Sequence, residues 1–147
     1  MKKTEIFRYT EKCLFSYHDN LARIEVLKED LRVLRAGSDV HAQNYQLKFD
    51  FHGNNSDPVS KYVEKIESLE NQIKHLERMT MPITKLINDV SMARKNTKNY
   101  DYKMLIKLFY FDGLLLSEVA DELKKSKRTV SSRRYSIVMK AADYLGL

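Results

Sequence analysis

Apolar residues recur at Phe7, Leu14, Tyr17, Leu21, Ile24, Leu27, Leu31 and Leu34, mostly three or four apart. This spacing lays one stripe along a single long helix over residues 3–36. Gly37, followed by Ser38 and Asp39, supplies its stop. A second stripe is more regular: Tyr62, Ile66, Leu69, Ile73, Leu76, Thr80, Ile83, Ile87 and Val90 step alternately by four and three, a heptad seam. Asp57 and Pro58 ahead of it read as N-cap and first helical residue, where proline has no N–H to lose. Pro82 falls inside the seam without shifting its phase and predicts a kink or break over residues 80–82, with the same face continuing beyond it. Between the stripes, Tyr45, Leu47, Phe49 and Phe51 alternate with polar residues, the period of a half-buried strand. A short strand over residues 45–51, within a connecting segment 37–57, would pair with its copy in another subunit or lie as an extended hook over the helices. Neither long helix can bury its stripe alone. The two are expected to pack as a coiled-coil-like hairpin, on a second chain, or both.

From Tyr100 onward the pattern predicts three shorter helices. The first carries Met104, Leu105, Leu108 and Phe109 and ends at Gly113; the second, residues 116–124, turns Val119, Ala120 and Leu123 inward. Ser126 then caps a last helix whose inward positions are Val130, Ile137, Val138, Ala141 and Leu145. Two short helices about three residues apart, with the small Ala120 where they approach, have the form of a helix-turn-helix. With Val130 inward, Lys127, Arg128, Ser131, Ser132 and Tyr135 fall on the outer face at the start of the last helix. A helix lying in the major groove presents its base-reading side chains there. Lys124, Lys125 and Arg133 flank that face at phosphate distance.

Charge sharpens this picture. Residues 1–93 hold 14 basic and 14 acidic side chains, whereas residues 94–147 hold 12 basic and 6 acidic, so the whole net charge of +6 sits in the back of the chain. No carboxylate occurs between Lys124 and Lys140, although a helix that is merely solvated normally carries acids for four-residue pairs. A polyanion partner is implied for this half. Double-stranded DNA is preferred to RNA, because no aromatic sheet platform or GXXG loop is present. Gly 4 and Pro 2 are few for 147 residues and favour long helices.

Candidate catalytic chemistry is sparse. His18, His41, His52 and His75 have no metal-ligand spacing, and the lone Cys13 has no partner for a zinc site or a disulfide. A single cysteine fits a reducing, cytoplasmic setting. Glycines at 37, 53, 113 and 146 form no phosphate-cradling loop. No apolar window suggests a signal peptide or a membrane span. An enzyme, a cofactor and a metal are not expected.

The stretch "LIKLFYFDGLLLSEVADELKKSKRTVSSRRYSIVMKAADYL" resembles sigma factor region 4, through Tyr110, Phe111, Gly113, Glu118, Val119, Ala120, Leu123, Ser126, Thr129 and Val130. With the heptad region before it, the chain looks like the small phage transcriptional regulators of the ArpU and RinA type. It departs from the region 4 pattern at Lys124, usually Gly, at Leu115, usually a small cap, and at Arg134, often apolar. The resemblance implies an all-α fold: a helical coiled-coil and oligomerisation region over 1–95, followed by a helix-turn-helix domain over 98–147. It further implies a sequence-specific DNA-binding transcriptional activator of a phage or prophage, a homodimer, with RNA polymerase as a further candidate partner. The candidate DNA-binding residues are Lys124, Lys125, Lys127, Arg128, Thr129, Ser131, Ser132, Arg133, Arg134 and Tyr135. The alternative is a small terminase-like DNA-packaging protein, although such proteins usually place the helix-turn-helix first.

Overall fold

A computed structural model describes residues 1–37 and 58–147, and every described element is helical. The helices are α1 (Lys3–Phe15), α2 (Tyr17–Ala36), α3 (Pro58–Val90), α4 (Lys98–Leu105), α5 (Leu116–Leu123) and α6 (Lys127–Tyr144), with a π-helical segment (Ile106–Phe111) after α4. The expected strand over 45–51, the Asp57 cap and the rest of the connection to α3 lie outside the described residues. The chain forms two compact units, Leu21–Glu77 and the pair Met1–Asn20 with Arg78–Leu147. The expected boundary was at residues 95–98; instead, α1 shares a unit with the C-terminal helices.

In the Leu21–Glu77 unit, α2 and α3 run antiparallel. Ile24, Leu27, Leu31 and Ile73 are buried together, and Ile66, Leu69 and Leu76 pack against them. These are the stripe positions of the two helices, brought face to face. Tyr62 donates to the Leu34 carbonyl at 3.0 Å, Arg35 pairs with Glu70, and Lys28 with Glu77. Lys28 is tied near the end of this stretch of α3 and Leu34 and Arg35 nearer its start, as the antiparallel sense requires. The ion pairs are substantially exposed and contribute little; apolar burial, at about 25 cal/mol per Å2, dominates.

In the other unit α6 packs against α1, α4 and α5. Its buried side chains include Leu14, Leu86, Leu105, Val119, Val130, Ile137 and Val138. Where one helix was expected over residues 3–36, the structure divides it at Ser16. The Ser16 hydroxyl donates back to the Lys12 carbonyl at 2.6 Å, competing with the backbone ladder and favouring a local break. Pro82 has the opposite outcome: α3 runs through it unbroken. Only the bond to the Arg78 carbonyl is lost to the missing N–H. Thr84 donates its hydroxyl to the Thr80 carbonyl at 3.1 Å, and Thr80, Ile83 and Leu86 are buried on either side of the proline.

The third difference follows α4. Residues expected to continue it as α-helix form a π turn, in which the Asp112 N–H reaches back five residues to Lys107. More residues per turn means consecutive side chains fan over a narrower arc. Phe109, Tyr110 and Phe111 can therefore all touch the α1–α2 junction: Phe109 and Tyr110 meet Phe15, with centroids 5.6 and 4.7 Å away, and Phe111 stacks on Tyr17 at 5.4 Å. Gly113, at φ +77°, leads out of the turn in a conformation that costs an L side chain.

Candidate nucleic-acid interface

The basic surface is built on α5, the turn at residues 124–126 and α6. Glu118 starts α5 by accepting the Leu115 N–H at 3.1 Å, one half of a capping box, since Leu115 has no side-chain acceptor to give in return. The helix ends in a Schellman motif: the Lys124 N–H bonds the Asp121 carbonyl at 3.2 Å and the Lys125 N–H bonds that of Ala120 at 3.0 Å. This requires a left-handed residue at position 124, and Lys124 takes it at φ 54°, ψ 43°. The lysine thus holds the conformation that glycine would adopt without strain. Ser126 opens α6, its hydroxyl accepting the Thr129 N–H at 3.1 Å.

Val130 is completely buried, which sets the rotation of α6. Lys127, Arg128, Ser131 and Ser132 are exposed on the opposite side, next to exposed Lys124. None of Lys124, Lys127 and Arg128 forms an ion pair among the described residues. The first turn of α6 contains no acidic residue. Cations at a helix N-terminus oppose the macrodipole, each costing about 0.3–1 kcal/mol when exposed. The arrangement is unfavourable for the isolated chain and would be relieved by an anion.

Five other expected members stand differently. Lys125 and Arg133 converge on Oδ2 of Asp101, at 2.5 and 3.1 Å, and that carboxylate is only 1% exposed. Arg134 is turned away from the outer face: its Nε and Nη2 donate to the two oxygens of Glu11 at 2.9 and 2.8 Å, and its guanidinium lies over the rings of Phe7 and Phe109. Arg134 is thus a partly buried cation with its own carboxylate. The Tyr110 hydroxyl also donates to Glu11, at 2.6 Å. Burial, then the Glu11 carboxylate, pushes the Tyr110 hydroxyl far above its usual range. For Arg134, burial opposes the charge, but Glu11 and Tyr110 outweigh it and the pKa is raised. Tyr135 is exposed and stacks on Phe7, with centroids 5.9 Å apart. Thr129 is half-buried, and its hydroxyl sits 2.9 Å from that of the Ser126 cap.

Sequence reasoning missed Asp101, Glu11 and Phe7. Asp101 stands in the first turn of α4, after the Thr97 cap, where an acid is ordinary helix chemistry. Glu11 and Phe7 act on residues more than a hundred positions away, which no local pattern reveals. Among the described residues no group of His, Cys, Asp and Glu could hold a metal ion, and no helix is long and apolar enough to cross a membrane. Compared with protein-family models, curated proteins and solved structures, the chain matches none.

Proposed function

We propose that the chain is a sequence-specific DNA-binding transcriptional regulator of phage or prophage type, an activator. In this reading α5 and α6 act as a helix-turn-helix similar to that of sigma factor region 4, and α2 with α3 form a coiled-coil hairpin that carries homodimerisation. The observation that carries it is the start of α6: exposed Lys127 and Arg128 without carboxylate partners among the described residues, at the positive end of a helix, beside serines small enough for close approach. Arg128 and Ser132 face base edges, and Lys124 reaches the phosphate backbone from the turn. Contact with RNA polymerase rests on the region 4 resemblance alone.

Affinity for specific and random duplexes, titrated across salt, tests this reading. Two phosphate-facing cations per copy, Lys124 and Lys127, and so four for a dimer, set a slope of log affinity against log salt of about −3.5. Replacing Arg128 with Ala should weaken the preferred site by about 1–3 kcal/mol and leave random duplex nearly unchanged. A slope shallower than about −2, or an equal loss on both duplexes, refutes the proposed docking. A ring of many copies in solution, instead of a dimer, would favour the packaging alternative.

A further inference from the structure

Asp101 has more to do than begin a helix. Its carboxylate is 1% exposed and takes two cations, one from the turn and one from α6, while the side chains of Lys125 and Arg133 remain 28% and 24% exposed. A first-turn acid stabilises its helix without any cation. Here it instead draws back two of the six basic residues between positions 124 and 134. For Lys125 to reach a phosphate it would have to leave a buried carboxylate with one partner fewer, an unfavourable exchange.

We infer that Asp101 is a positioning residue that limits the charge this face offers to a polyanion, holding Lys125 and Arg133 back so that phosphate attraction falls to Lys124 and Lys127. The inference rests on the DNA-binding reading above. Sequence-independent attraction scales with the number of free cations, whereas discrimination depends on the side chains that meet base edges. A carboxylate that lowers the first and leaves the second intact widens the ratio between preferred and random sites.

The experiment is a salt titration of the full chain on a labelled random duplex, for wild type, Lys124→Ala, Lys125→Ala and Asp101→Asn. Lys124→Ala should make the slope shallower by about 1 per bound copy, and Lys125→Ala should leave it unchanged. Asp101→Asn should steepen it by about 1 to 2 per copy and tighten random binding about eightfold per released cation at 0.1 M salt. If Lys125→Ala flattens the slope as much as Lys124→Ala does, the inference is overturned. A folded Asp101→Asn with an unaltered slope overturns it too. Should Asp101→Asn fail to fold, the comparison of the two lysines decides. A wild-type chain with no duplex affinity overturns the DNA-binding reading and this inference together, whereas failure in the variants alone leaves that reading standing.

Discussion

Replacing Lys124 with Gly should make the protein more stable and, on the proposed function, its binding to DNA weaker. A left-handed residue with a Cβ crowds its own carbonyl, at a cost of about 1–2 kcal/mol, and Lys124 stands there at φ 54°. Glycine removes this strain but brings more freedom to the unfolded chain, which offsets about 0.4–1 kcal/mol. Both Schellman bonds are donated by backbone N–H groups that glycine retains, so they survive. The net gain is about 0.5–1 kcal/mol. In a unit of this size that raises Tm by roughly 2–8 °C. The lost ammonium meanwhile flattens the salt slope by about 1 per bound copy. Lys124→Ala is the control, because it loses the same charge and keeps the strain. Thermal unfolding followed by circular dichroism, with fluorescence anisotropy on duplex DNA, reads both effects. If Gly is no more stable than Ala, the left-handed strain is not there; if the two differ in slope, charge is not what Lys124 contributes.

Glu11→Ala strips Arg134 of its carboxylate and Tyr110 of its acceptor. A buried pair broken this way costs about 3–5 kcal/mol, and the partial exposure of Arg134 lowers the expectation to roughly 2–3. Urea unfolding with a double-mutant cycle on Arg134→Ala measures it, and a coupling under about 0.5 kcal/mol would mean that α1 is not docked on α6. Ile73→Ala, in the buried cluster between α2 and α3, should cost about 2–4 kcal/mol by the same method, against near-neutral change at exposed Val63. Tyr110 is held protonated in the folded chain by burial and by Glu11, above the ordinary 10.0. Its contribution is therefore complete below pH 10 and is lost above it, at about 1.4 kcal/mol per pH unit. Tyr110→Phe should decline less steeply between pH 10 and 11 in urea melts; equal steepness would count against the buried hydroxyl.

The heptad seam of α3 was legible because a helix repeats its burial every few residues, and Ile73, Ile83 and Val90 are buried as that period demands. The phase of α6 was legible for the same reason, since buried Val130 places Arg128 and Ser132 outward. Pro82 misled because a rule about one lost hydrogen bond carries no information on the packing that holds the flanking turns. Ser16 went the other way: its hydroxyl competes with the backbone over four residues, inside a stripe that reads as continuous. Arg134 shows where local patterns stop. Its basic neighbours suggest a phosphate contact, yet its partner Glu11 lies 123 positions earlier. Charge counted along a segment measures composition, and only the fold decides which cations are already answered.

The link between Glu11 and Arg134 also orders events during synthesis. The helix that carries Glu11 is translated well before the helix that receives it. At 5–20 residues per second, about 6–25 s separate the two. Throughout that interval α1, which packs against α6 in the finished protein, has no α6 to dock on. All of Leu21–Glu77 is made in the meantime and can complete its own core while the first helix waits. Nascent chains halted before residue 127 should therefore leave a protease free to cut α1, with that access closing only once α6 has emerged.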